Sequence, residues 1–147
     1  MAVDSIHWLT LGDADRARLR DAVATTLATR SWAQAAWLYG SVARKQPARD
    51  IDVGLVADPL PPDGDLSVVA DEIAARFGVS SAVLDLRLLN GGDPVFLGNV
   101  MRDGMLLFER DREARIRFEV YALNQWLDFR PVWERLRKRV LERWAHG

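Results

Sequence analysis

Two aspartates in an otherwise apolar segment are the residues of this sequence best suited to chemistry. Asp50 and Asp52 alternate with Ile51 and Val53, and the segment then stays apolar to Val56. This pattern predicts a strand over residues 50–56 in which both carboxylates project from one face and the apolar side chains enter the core. Neighbouring carboxylates repel each other, and a divalent cation relieves the repulsion. Because the ligands are hard oxygens, Mg²⁺ suits them best.

A second short segment offers a place for phosphate groups. The apolar run from Ala35 to Tyr39 predicts a buried strand, and Gly40 and Ser41 follow it at a turn into a helix. A glycine lets phosphate approach the backbone without a Cβ in the way. The free amides at a helix start and the Ser41 hydroxyl can donate hydrogen bonds to it. Arg44, about one turn later, is a candidate for the same phosphates or for a surface ion pair.

A third carboxylate would complete a site for two metal ions. Asp85 is the best candidate, because it interrupts the apolar run Ala82–Leu84 within a strand predicted over residues 80–89. There it could hold the catalytic ion and act as general base toward an incoming hydroxyl. The alternative is an ordinary carboxylate at the edge of a sheet. Phosphate-binding groups beside paired carboxylates are the minimum for metal-assisted nucleotidyl transfer.

The order Gly40-Ser41, then Asp50-x-Asp52 on the next strand, resembles the DNA polymerase beta-type nucleotidyltransferases. The resemblance is strongest to the small MNT-type domains of HEPN–MNT toxin–antitoxin pairs. It extends through residues 83–90, 100–109 and 118–131, and so covers nearly all of the chain from about residue 37 onward. Two positions depart from the pattern, because Lys45 stands where glycine is frequent and Arg49 where serine is frequent.

The resemblance implies an α/β (α+β) fold, a small mixed sheet with flanking helices, and an antitoxin that uses ATP. Such a protein transfers AMP to a hydroxyl, commonly of a tyrosine, on a cognate HEPN ribonuclease toxin and so silences it, and it can form a hetero-oligomer with that toxin. Gly40 and Ser41 would hold the triphosphate, and Asp50, Asp52 and Asp85 would hold the Mg²⁺ ions. Two alternatives stay open: an antitoxin that only binds and occludes its toxin, and a nucleotidyltransferase with a small acceptor such as an aminoglycoside.

The remaining pattern predicts helices over residues 11–30, 66–77 and 95–102, and a short strand over 105–108. The rest is helical, with a break at residues 128–131 because proline disfavours helix at itself and at the residue before it. We therefore expect one domain over residues 1–147, with a core over about 11–109 and a helical tail over about 110–147. In the tail, apolar residues recur at helical spacing among arginines: Val132, Trp133, Leu136, Val140 and Trp144. A packed stripe with a solvated basic face is the preferred interpretation, and a partner-docking helix is the alternative.

Composition excludes several classes of function. The 147 residues carry a net charge of −1 and are 49% hydrophobic, which is typical of a globular domain and argues against direct nucleic-acid binding. The absence of cysteine excludes disulfides and zinc thiolate sites. Only His7 and His146 offer imidazole, each near a terminus. The N-terminal residues lack a signal-peptide pattern, and no apolar stretch approaches the roughly 18 residues of a membrane span, so we expect a cytoplasmic protein.

Overall fold

The computed structural model describes residues 8–146 as a four-stranded mixed sheet with helices on both faces. The elements follow in the order α1 (Asp13–Ala28), β1 (Ala33–Tyr39), α2 (Gly40–Ala43), β2 (Ile51–Ala57), α3 (Asp65–Phe77), β3 (Leu84–Leu88), α4 (Pro94–Asp103), β4 (Met105–Glu109) and α5 (Arg112–His146). The predicted α/β fold, with a small mixed sheet and flanking helices, is confirmed. His7 lies outside the described residues, and the division into core and tail stays a prediction.

The sheet has the strand order β3-β2-β1-β4. β1 runs antiparallel to both of its neighbours, while β2 and β3 are parallel. A parallel pair needs a crossover connection, which α3 supplies between β2 and β3. The beginnings of β2 and β3 therefore lie at one edge of the sheet, and the end of β1 lies there too.

Alternation along the strands builds two apolar cores, one on each face of the sheet. On one face Leu38, Val53 and Leu55 are fully buried in a cluster with residues of α1 and α3. On the other face Ala35 and Trp37 join a smaller cluster with residues of α4 and α5: Leu97, Val100 and Ala122. Because the second cluster is small, that face of the sheet has room for polar groups near the ends of the strands.

Two strands begin later than the sequence pattern predicts. Asp50 precedes β2, which begins at Ile51. Residues Ser81–Val83 form a 3₁₀ turn before β3 begins at Leu84. The Ser80 hydroxyl accepts a hydrogen bond from the Ala82 amide at 3.3 Å, and such a local bond competes with strand pairing. Asp85 nevertheless lies within a strand.

The predicted break at residues 128–131 is wrong, because α5 continues through Pro131 to His146. Proline removes one backbone hydrogen bond, and the carbonyl thereby freed is that of Leu127, an exposed residue, so water can satisfy it. An ion pair between Arg130 and Glu134, with 2.9 Å between Nε and Oε1, spans the same turn. None of the helices within residues 8–146 is long and apolar enough to cross a membrane.

Gly98 sets the closeness of α4 to α5. A Cβ at this position would lie 2.8 Å from Cγ of Trp126, inside van der Waals contact. We expect Gly98→Ala to lower the free energy of unfolding by about 1–3 kcal/mol, measured by urea denaturation. Gly12→Ala is the control, since a Cβ there meets nothing within 4 Å and should cost less than about 1 kcal/mol. Equal effects of the two substitutions would contradict the packing described.

Candidate active site

Three polar side chains lie in a row at the edge of the sheet where β1 ends. Tyr39 of β1 is the register partner of Asp52 in β2, and Asp52 is the register partner of Asp85 in β3. Register partners project from the same face, so the two carboxylates are neighbours. Tyr39 packs edge-on against the ring of Phe96 in α4, with 5.3 Å between the ring centroids. The row therefore lies on the face that α4 and α5 cover.

Gly40 brings the backbone after β1 against the carboxylate of Asp52. A Cβ at Gly40 would lie only 2.6 Å from Oδ2 of Asp52, and the residue has a positive φ of 76°. Both features favour glycine, because other residues rarely adopt this conformation and would displace the carboxylate. The site therefore requires glycine here for conformation and for space.

Ser41 lies in the single turn of α2, and Arg44 directly follows that turn. Arg44 Nη2 donates to the Ser41 hydroxyl at 3.4 Å, and its Nη1 lies 3.7 Å from Oδ2 of Asp103 in α4. The turn itself is fixed by Arg16, a buried residue of α1 that the sequence pattern does not single out. Its Nη2 donates to the carbonyls of Val42 and Ala43 at 2.6 and 3.2 Å. Because the guanidinium donates hydrogen bonds to both carbonyls, it holds α2 against the core.

Asp52 is the carboxylate most affected by its surroundings. The pKa of Asp52 is raised to about 6, first by burial and then by the negative charges of Asp85 and Asp50. Burial is also the largest cause that raises the pKa of Tyr39 to about 12, followed by the charge of Asp52. The phenol therefore stays protonated at neutral pH. The pKa of Asp52 lies only slightly below neutral pH, and a bound cation would lower it by favouring the ionised carboxylate.

Asp85 pairs with a basic residue of its own strand. Arg87 Nε donates to Oδ2 of Asp85 at 3.1 Å. The charge of Asp85 is the largest cause that raises the pKa of the Arg87 guanidinium, followed by Tyr39. Arg87 is a site residue that the motifs do not include. Its spacing of two from Asp85 in a strand is the signal that places both on one face.

The structure brings two of the three predicted metal ligands together and leaves the third outside the sheet. Asp52 and Asp85 are side by side. Asp50 is exposed just before β2, and its negative charge contributes to the raised pKa of Asp52. Across residues 8–146, no group of three or more histidine, aspartate or glutamate side chains is arranged to hold a metal ion. To bind an ion, the carboxylates would have to move closer together, and Asp85 would have to break its hydrogen bond with Arg87. The negative charges of the neighbouring carboxylates, which raise the pKa of Asp52, fit a divalent cation with oxygen ligands.

Both departures from the family pattern have a local structural role. Lys45 has a positive φ of 58°, the conformation that glycine adopts most easily, at the end of α2. Its amide donates to the Val42 carbonyl at 3.1 Å, so the turn forms despite the side chain. Arg49 places its guanidinium 5.5 Å from the centroid of the Trp8 ring.

The raised pKa of Asp52 predicts a pH dependence of stability. A raised pKa means that the folded protein holds the proton more tightly than the unfolded chain, so the stabilisation is complete below pH 3.8 and is lost as the pH rises through about 6. In EDTA, we expect the melting temperature of the wild type to fall relative to Asp52→Asn by about 2–5 °C between pH 4 and 7, after discounting for solvent screening. A difference that does not change with pH would contradict the assigned electrostatics.

Several solved structures share this fold, including three toxin–antitoxin structures. A chain of the MntA–HpeT toxin–antitoxin, in a variant with two aspartates replaced by glutamate, is 16% identical and matches with a TM-score of 0.68, covering 83% of this chain and 98% of that chain. A chain of the tri-AMPylated Shewanella oneidensis HEPN toxin in complex with MNT antitoxin is 16% identical, with a TM-score of 0.67 over 86% of this chain and 98% of that chain. A chain of a toxin–antitoxin with AMP-PNP is 18% identical, with a TM-score of 0.67 over 83% of this chain and 98% of that chain.

At these identities the likeness establishes the fold, and no curated protein sequence matches the chain. The sequence itself matches the family described as polymerase beta, nucleotidyltransferase over residues 22–113. This range is more than half of the chain and contains the turn at Gly40 and the carboxylates of Asp50, Asp52 and Asp85. The chain therefore belongs to the polymerase beta nucleotidyltransferase family.

Proposed function

We propose that this protein is an antitoxin that transfers AMP from ATP to a tyrosine hydroxyl of a cognate HEPN ribonuclease toxin and so neutralises it. The observation that carries the proposal is the position of Asp52, which lies between Asp85 and Gly40 at one edge of a nucleotidyltransferase sheet. Solved structures of the same fold include a complex with a tri-AMPylated HEPN toxin and a complex with AMP-PNP. Because ATP is the substrate, we expect the reaction to take place in the cytoplasm. It would occur within a complex of this protein and the toxin.

Gly40, Ser41 and Arg44 would bind the phosphates of ATP. Because Gly40 has no Cβ, the Asp52 carboxylate lies directly against the backbone of the turn that would bind the phosphates. The Ser41 hydroxyl and the Arg44 guanidinium are within 3.4 Å of each other and can donate to the same anion. Arg44 Nη1 also lies 3.7 Å from Oδ2 of Asp103, and this ion pair favours a side-chain position near Ser41 although the side chain is 42% exposed.

Asp50, Asp52 and Asp85 would hold two Mg²⁺ ions, which supply charge neutralisation across the triphosphate when bound. Asp85 would take the proton of the incoming hydroxyl. The hydroxyl oxygen forms a bond to the α-phosphorus, the bond from that phosphorus to the β-phosphate oxygen breaks, and pyrophosphate leaves. The roles of these residues are to bind and orient the reacting groups, and no covalent enzyme intermediate is needed.

The test is intact-mass spectrometry of a HEPN-domain protein encoded by a neighbouring gene, after incubation with this protein, ATP and Mg²⁺. We expect the HEPN protein to gain one or more AMP groups of roughly 329 Da each, through metal-assisted transfer. The gain should disappear in EDTA. Unchanged mass after prolonged incubation, with both proteins folded, would contradict the proposal.

Neutralisation by occlusion is the second candidate, and the exposed apolar residues of α5 favour it. Leu136, Val140 and Trp144 are respectively 47%, 52% and 81% exposed on the last turns of that helix, so the packed stripe predicted for the tail is wrong, and the composition suits a protein interface. An occluding antitoxin would block the ribonuclease at a one-to-one ratio without ATP. The same mass experiment, run beside a ribonuclease assay without nucleotide, separates the two modes.

A further inference from the structure

We propose that Arg87 is a positioning residue that takes the place of a divalent cation: its guanidinium holds Asp85 when no ion is bound and releases it when one binds. The inference rests on the proposed function, because it treats Asp85 as a cation ligand. It predicts that Arg87 competes with the cation, whereas an arginine that binds substrate would assist it.

The ion pair between Arg87 and Asp85 can break at little cost in free energy. Arg87 and Asp85 are two residues apart on β3, the edge strand of the sheet, and Nε lies 3.1 Å from Oδ2. Their side chains are 62% and 38% exposed. An exposed ion pair of this kind contributes little to stability and is easily exchanged.

The surroundings of Arg87 leave its side chain room to move. Its register partner on β2 is Gly54, which offers no side chain for the guanidinium stem to pack against. Leu89 fills the space above Gly54, and the Arg87 side chain is 62% exposed, so its freedom to move is toward solvent. The guanidinium is therefore held by charge rather than by packing.

The positive charge of Arg87 also acts on Asp52, the carboxylate beside Asp85 in the sheet. Asp85 is the register partner of Asp52, so the guanidinium that lies 3.1 Å from Asp85 is also close to the Asp52 carboxylate. Arg87 thus offsets part of the repulsion that a bound cation would remove. A divalent ion carries twice the charge and contacts the oxygens directly, so it should displace the guanidinium, at a cost in affinity of roughly two- to tenfold.

Isothermal titration calorimetry of the whole chain with MnCl₂ tests this competition. We expect Arg87→Gln to lower the Kd for Mn²⁺ by roughly two- to tenfold, because the competing charge is gone. Arg87→Lys should stay near the wild type, since it keeps the charge. Arg130→Gln is the matched control, because Arg130 also forms an exposed pair, with Glu134 at 2.9 Å, but on α5.

Thermal unfolding gives a second readout that a purely structural arginine would not reproduce. In EDTA, Arg87→Gln should lower the melting temperature by about 1–4 °C, and with saturating Mn²⁺ the difference should vanish. Unchanged or weaker Mn²⁺ binding in Arg87→Gln would overturn the competition while leaving the cation site intact. No Mn²⁺ binding by the wild type would overturn the proposed function and this inference together.

Discussion

Asp52→Asn is expected to reduce the rate of AMP transfer on the order of 10³-fold, because the amide cannot supply the negative oxygen that a cation needs. Asp52 lies between Asp85 and Gly40, so its loss removes the centre of the carboxylate row. The rate is measured by following the mass of the HEPN protein over time with excess enzyme, ATP and Mg²⁺.

The fold should survive this substitution. Asp52 is half buried with a pKa raised to about 6, so a neutral side chain of the same shape relieves repulsion at pH 7.5. Asp58→Asn, in the exposed segment just after β2, is the matched control and should transfer AMP at the wild-type rate. Transfer by Asp52→Asn within tenfold of the wild type would contradict the assignment of this carboxylate.

Gly40→Ala has the second largest expected effect. The new Cβ would lie 2.6 Å from Oδ2 of Asp52, so either the carboxylate or the turn must move. A displacement of about 1 Å at a reacting centre can cost on the order of 100-fold in rate, and we expect a loss of that size. The positive φ of 76° should add about 1–3 kcal/mol of lost stability, measured by urea denaturation.

Gly64→Ala separates the two causes. Gly64 also has a positive φ, of 85°, but a Cβ there meets nothing within 4 Å. It should lose similar stability and keep full transfer. Equal loss of transfer in both variants would mean that strain in the backbone, and not the contact with Asp52, accounts for the effect.

The carboxylate face was predictable because it depends on local spacing alone. A strand alternates its side chains, so Asp52 and Asp85 had to project on the polar side while Val53 and Leu84 entered the core. Gly40 could be placed at the end of a buried strand by the same pattern. These features need no knowledge of which strand pairs with which.

The other features depend on interactions between distant or mobile groups. The register that sets Asp52 beside Asp85 and Tyr39 comes from pairing across three strands, which spacing does not encode. The contact between Arg87 and Asp85 depends on a side-chain conformation, and Arg16 acts on α2 from another helix. The path of α5 through its proline depends on exposure, because water satisfies the freed carbonyl.

Calorimetric titration of the whole chain with ATP, in Mg²⁺ and again in EDTA, tests most directly whether the carboxylate row is a cation-dependent nucleotide site. We expect one ATP to bind per chain in Mg²⁺, with binding weakened at least about tenfold in EDTA and in the doubly substituted Asp52→Asn, Asp85→Asn protein. Equal affinity for ATP in Mg²⁺ and in EDTA, or no binding under either condition, would contradict it.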